Sequence, residues 1–156
     1  MNKTEVLKRY HHGNLREALL DTAIEQLHEG GVENLSLRAL ARAVGVSQTA
    51  PYRHFEDKSE LLAAMATNGY RNLLHALRET GGAAGDCPKD QLFAFAHAYV
   101  DYAANNPRLF KLMFGPAVQP TSKYPELRKA SRDTLQLVQD IIQRGLDRDI
   151  FRDVEG

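Results

Sequence analysis

From Leu15 to Leu27 the apolar residues fall three and four positions apart, and the same spacing returns in segment after segment as far as Leu146. A helix with 3.6 residues per turn gathers such a pattern into one apolar stripe, whereas a half-buried strand needs strict alternation. No convincing run of alternating β-branched residues interrupts it, so the chain reads as all-α. Leu15, Leu19, Ala23 and Leu27 make the first stripe, widened by Leu20 and Ile24, with the acids facing away. Asn14 is a good N-cap with Glu17 three residues on, and Gly30-Gly31 stops the helix.

The stretch from Ser36 to Lys58 carries the densest punctuation. Ser36 caps a short second helix with Leu37, Leu40, Ala41 and Val44 inward, and Gly45 breaks it. Ser47 caps a third helix predicted from Gln48 to about Phe55, with Pro51 in the first turn, where a missing N–H costs little. Two short helices joined at a glycine describe a helix-turn-helix, whose second helix enters the DNA major groove. Leu40, Val46 and Phe55 are placed to fix the angle between the helices from inside, and Ala41 and Gly45 to let them approach. The outward side of the third helix offers Gln48, Thr49, Tyr52 and Arg53. Gln and Arg can bond base edges in pairs, while Thr and Tyr suit thymine methyls or phosphates. Lys58, with a helix N-terminus behind it, suits a phosphate. Similar glycine-joined helix pairs occur in all-α proteins that never touch DNA, their polar residues simply facing water, and periodicity alone leaves both readings open.

Asp57, with Glu60 three residues on, caps a fourth helix in which Leu61, Leu62, Met65, Leu73, Leu74 and Leu77 run to about Thr80; Gly69 weakens it mildly. Residues 81–88, Gly-Gly-Ala-Ala-Gly-Asp-Cys-Pro, read as a linker. Leu92, Phe95, Ala96, Tyr99 and Ala103 make another amphipathic helix ending at Asn105-Asn106-Pro107. A short aromatic helix follows through Leu109, Phe110, Met113 and Phe114, and after a proline-rich loop the last long helix starts near Pro125, with Leu127, Leu137, Val138, Ile141, Ile142 and Leu146 expected on its buried side.

Composition excludes several classes. Length 156, with 43% apolar and 26% charged residues, suffices for one ordinary core and argues against disorder. No apolar run approaches the roughly 20 residues that span a bilayer, and the first residues lack signal-peptide character. Cys87 is the only cysteine, which excludes an intrachain disulfide and fits a reducing cytoplasm. Beside Asp86, its thiol is poorly suited to reactivity. Formal net charge is zero, but four bases oppose one acid over residues 1–16, and four oppose two over residues 36–58. Local basic spots on a neutral protein suit a partner touched at discrete places. A metal site is not expected, since His11-His12 lacks a second ligand cluster. Phosphate-binding glycine loops and nucleophile elbows are also missing, so neither an enzyme nor a cofactor is expected.

The residues Gly45-Val46-Ser47, Tyr52-Arg53-His54-Phe55 and Lys58-x-Glu60-Leu61-Leu62 closely resemble the DNA-binding signature of the TetR (tetracycline-repressor-like) family, and Tyr10-His11-His12-Gly13-Asn14-Leu15-Arg16 looks like one branch of it. The resemblance is strong over about residues 10–65. Further on it rests on helix pattern and the Asn106-Pro107-Arg108-Leu109-Phe110 corner. It implies an N-terminal three-helix helix-turn-helix head joined by a long fourth helix to a helical ligand-binding and dimerisation domain. The expected boundaries are 1–58 for the arm and head, 59–80 for the connecting helix, 81–90 for the linker and 91–156 for the C-terminal domain. It also implies that Gln48, Thr49 and Tyr52 read bases or the adjacent backbone and that Arg38 can reach a base edge. Ser36, Tyr52, His54 and Lys58 match phosphate-holding positions, and Ser47 heads the recognition helix. Leu37 stands where relatives often have Thr, removing one phosphate bond. Arg53 and the arm residues Arg9, His11 and His12 join on charge and placement alone; Arg53 could instead pair with Glu56 on the surface.

The implied protein is a homodimeric, cytoplasmic repressor released from double-stranded operator DNA by a small-molecule effector, with no membrane partner. The alternative is a helical ligand- or protein-binding module without DNA binding. An effector pocket would draw on Phe95, His97, Tyr99, Tyr102, Phe110, Met113, Phe114 and Ile141, each of which also suits ordinary helical packing. Relatives usually continue for about two more helices that form their dimer interface, so the C-terminal domain is expected to be incomplete at Gly156.

Overall fold

The computed structural model describes residues 14–152, and these form helices, turns and loops with no strand among them. The arm residues Arg9, His11 and His12 lie outside the described residues. Among the described residues six α-helices follow in order: α1 (Leu15–Gly30), α2 (Leu37–Val44), α3 (Lys58–Ala83), α4 (Pro88–Asn105), α5 (Pro107–Phe114) and α6 (Pro125–Asp147). The chain divides into two compact units between Met65 and Ala66, within α3. No helix among the described residues is long and apolar enough to cross a membrane.

In the first unit α1 and α2 pack on each other and on a 3-10 turn at Ala50–Arg53. Leu19, Ala23, Leu27, Leu40 and Phe55 are sealed from water, with the first turns of α3 adding Leu61 and Met65. Local chemistry sets the ends. Asn14 accepts the Glu17 N–H at 3.4 Å, Ser36 accepts the Ala39 N–H at 3.1 Å, and Asp57 accepts the Glu60 N–H at 2.9 Å. Each satisfies a backbone donor that the helix itself cannot. The Glu60 carboxylate reaches back to the Glu56 N–H, closing the box one residue beyond the cap.

The second unit contains the rest of α3 with α4, α5 and α6. Three of its helices begin at proline, where the fixed φ suits the first turn and the absent N–H is not missed. Its buried side chains include Leu73, Leu77, Phe95, Leu109, Met113, Leu127 and Ile141, whereas Ile142, expected on the same buried side, is exposed because the inward face of the last helix runs through Leu127, Ala130, Thr134, Ile141 and Gly145. One turn of α3 collects polar bonds from the other three helices of this unit. Tyr102 donates to the Gly69 carbonyl at 2.9 Å, Thr134 to the Tyr70 carbonyl at 3.4 Å, and the Tyr70 hydroxyl to the Met113 carbonyl at 3.2 Å.

Two expectations of helix extent change. The predicted third helix over Gln48–Phe55 is a turn followed by the four-residue 3-10 segment. Pro51 cannot donate to the Ser47 carbonyl, which takes the Ala50 N–H at 3.0 Å instead and tightens the turn. The fourth helix passes Thr80 and runs through Gly81 and Gly82 to Ala83, leaving only residues 84–87 to connect it to α4. Gly81 stays helical because its bare Cα accepts the Phe95 ring, which a Cβ would strike. The break falls at Gly85, in the left-handed region at φ 78°.

Candidate nucleic-acid interface

The segment between α2 and α3 is shaped from both ends. Gly45 takes φ 80° and ψ 35°, a conformation that suits glycine. With Gly45 so placed, the Val46 N–H reaches the Ala41 carbonyl at 2.9 Å and the Gly45 N–H reaches Arg42 at 3.2 Å, the Schellman pair of bonds. The chain therefore leaves α2 in a defined direction. At the other end Phe55 is 1% exposed, and the Arg16 guanidinium of α1 lies 5.3 Å from its ring centroid. Pro51 is buried between them, so the short segment is pinned at Pro51 and Phe55 while its polar side chains face outward.

Ser36, Arg38, Ser47, Gln48, Thr49, Tyr52 and Arg53 are exposed, and His54 and Lys58 are half-buried. Tyr52, at 49% exposure, is a large ring facing water beside a buried proline. The Ser47 hydroxyl does not cap the 3-10 segment but lies 3.3 Å from the Thr49 hydroxyl, tying the start of the turn together. Arg53 forms no ion pair with Glu56. Leu37 is buried at the start of α2 and contributes packing where a threonine would present a hydroxyl. Sequence reasoning missed the stacking of Arg16 on Phe55, because the two are far apart in the chain and neither carries a local signal of the other. Chemically, the exposed row offers amide and guanidinium forks, hydroxyls and a phenol on a rigid turn, followed by a lysine at a helix N-terminus. That set matches base edges and phosphates.

The family model described as "Bacterial regulatory proteins, tetR family" matches residues 19–65, which include this whole segment. A second, described as "Tetracyclin repressor-like, C-terminal domain", matches residues 92–154. The chain belongs to the TetR family. An HTH-type transcriptional regulator of Mycobacterium tuberculosis is 31% identical over 101 residues, which is 64% of this TetR-family chain and 43% of that protein. The tetracycline repressor protein class C of Escherichia coli is 49% identical over 51 residues, 33% of this chain and 23% of the repressor. A protein of unknown function from Rhodococcus sp. RHA1 superposes with a TM-score of 0.80 at 36% identity, covering 89% of this chain and 71% of that one. The chain thus spans less than half the length of the curated relatives it matches.

The residues considered for an effector pocket fall into two groups. Phe95, Met113 and Ile141 are buried core. Tyr99, Phe110 and Phe114 join Tyr70 in a chain of ring contacts with centroids 4.7 to 6.5 Å apart, and Tyr99 and Phe114 remain largely exposed. Tyr102 is half-buried with its hydroxyl on Gly69, and His97 faces water. A cleft of about 420 Å³ in the same unit is lined instead by Lys89, Leu92, Phe93, Ala96, Ile150 and Phe151. No group of three or more His, Cys, Asp or Glu among the described residues could hold a metal ion.

Proposed function

We propose that this TetR-family protein is a sequence-specific, DNA-binding transcriptional regulator that acts in the cytoplasm as a homodimer on double-stranded operator DNA. Its regulatory sense is repression, relieved when the C-terminal helices take up a small-molecule effector. The observation that carries the reading is the exposed row Gln48, Thr49, Tyr52 and Arg53 on a turn held by Gly45, Pro51 and Phe55. A fixed backbone matters because binding then has only the side chains left to order. Arg38 and Tyr52 serve base contact, and Ser36, Ser47, His54 and Lys58 serve phosphates. Arg9, His11 and His12 extend the backbone contacts.

Selection of random duplex DNA on the purified protein at two salt concentrations, with its mass measured alongside, tests the reading. The expected result is a palindrome with half-sites about one helical turn, or roughly 34 Å, apart. A demonstrated dimer that enriches no sequence would sink the proposal in favour of a helical interaction module.

A further inference from the structure

Arg16 stands where the stability of its own helix does not ask for a cation. It is exposed in the first turn of α1, at the positive end of the helix dipole, where a base is disfavoured and an acid such as the neighbouring Glu17 is welcome. The helix supplies no counter-charge either. Three and four residues on stand Leu19 and Leu20, both buried, while the acids Glu17 and Asp21 fall one and five residues away, off the paired face. No ion pair joins Arg16 to an acid elsewhere among the described residues. What holds the guanidinium is the Phe55 ring, its centroid 5.3 Å away. That ring is 1% exposed and closes the recognition turn three residues before Lys58. A methionine would cover Phe55 as well and would not oppose the dipole, so packing alone leaves the charge without a use.

We propose that Arg16 is a further phosphate contact of the DNA-binding head, with Phe55 holding its guanidinium in place for the operator backbone. The proposal deepens the reading of this face as a DNA interface and rests on it. An aromatic face attracts a cation without occupying its N–H groups as a carboxylate would, so the planar fork keeps its five donors for another acceptor. Two oxygens of one phosphate match that fork. Of the three acids at the start of α3, two are turned to backbone donors: Asp57 accepts the Glu60 N–H at 2.9 Å, and the Glu60 carboxylate accepts the Glu56 N–H. Glu56 remains as an exposed carboxylate there, with the half-buried Lys58 two residues on to offset it. Phe55 thereby has two duties. From inside it pins the recognition turn, and through its ring it fixes where a cation of α1 stands relative to that turn. A phosphate bound at Arg16 would then set the register in which Gln48, Thr49, Tyr52 and Arg53 meet the bases.

Three variants test the contact: Arg16→Met, Arg16→Gln and Arg16→Lys. For each, affinity is measured over a series of salt concentrations, on a mixed-sequence duplex and on the duplex enriched by selection, and thermal melting is recorded. Methionine keeps an apolar body on Phe55 and removes the charge. It should weaken binding to both duplexes by the same factor, lower the slope of log affinity against log salt by about 0.9, and leave the melting temperature no lower than that of the wild type. Glutamine, also neutral, should give the same slope as methionine. Lysine returns the charge without the fork, so it should restore the slope yet bind both duplexes more weakly than arginine. A wild-type slope in either neutral variant overturns the contact even where affinity falls, because a merely structural role weakens binding without changing the count of ions released. Lysine equal to arginine in affinity overturns the part given to the stacked plane. A wild-type protein that captures no duplex at any salt sinks the regulator reading itself and this contact with it, a result distinct from a wild type that binds and a slope that does not move.

Discussion

The proposed recognition face asks different things of Tyr52 and Lys58: the first would read a base and the second would hold a phosphate. Tyr52 stands exposed on the 3-10 segment while the preceding Pro51 is buried, so removing its ring leaves the fold intact and subtracts only contact. Tyr52→Ala should weaken binding to the selected operator by about 1–3 kcal/mol and relax preference at one base step. Full affinity in that variant, measured by fluorescence anisotropy, would mean the recognition face is elsewhere. Lys58→Ala should lower affinity for every duplex alike and reduce the salt slope by about 1. At this scale the sequence was informative about identity and exposure. The cap at Ser36, the turn at Gly45 and the outward Gln48, Thr49 and Tyr52 all follow from neighbours within a few positions. The Arg16–Phe55 stack and the burial of Pro51 were not legible, since both depend on how α1 closes over the turn.

Helices show the same division between local and distant causes. The starts of α1, α2 and α3 could be read because each cap lies next to what it caps. The end of α3 could not, because Gly81-Gly82 reads as a break until Phe95 is seen lying on Gly81. The two glycines should therefore respond oppositely to alanine. At Gly82 a Cβ meets nothing within 4 Å, so Gly82→Ala should raise stability by roughly 0.4–1 kcal/mol through the unfolded chain. Gly81→Ala drives a methyl into the Phe95 ring and should cost about 1–3 kcal/mol. Urea denaturation decides it, and equal effects at both sites would show that the ring is not fixed there. The phenols that bind α3 to its neighbours make a further element-scale claim. Burial, and to a lesser degree Tyr99, raises the Tyr70 pKa above its ordinary 10.0, and burial raises that of Tyr102. A raised value means the folded state holds the proton more tightly, so this stabilisation is complete below about pH 10 and is lost as pH rises through the folded values. Tyr70→Phe with Tyr102→Phe should lower stability near neutrality and make the alkaline fall shallower than in the wild type.

For the whole molecule, a zero net charge means that the proposed DNA affinity cannot come from a general field and must come from contacts placed at the right spacing. One head presents few phosphate and base partners, and a single head on a half-site gains little beyond non-specific binding, typically about 10⁻⁴–10⁻⁶ M. Joining two heads makes the second contact intramolecular and raises apparent affinity by about 10²–10⁴-fold without any new bond. The consequence is a binding curve on palindromic DNA that rises more steeply than a single-site hyperbola wherever protein concentration lies below that of dimer formation. Splitting the palindrome into a lone half-site should remove the steepness together with most of the affinity. Tyr52→Ala, by contrast, should weaken binding and leave the steepness unchanged. Anisotropy titrations of the two proteins on the two duplexes separate these effects, since loss of the second half-site changes the shape of the curve and loss of a contact only its midpoint. Equal wild-type affinity for half-site and palindrome would show that each head reads DNA alone.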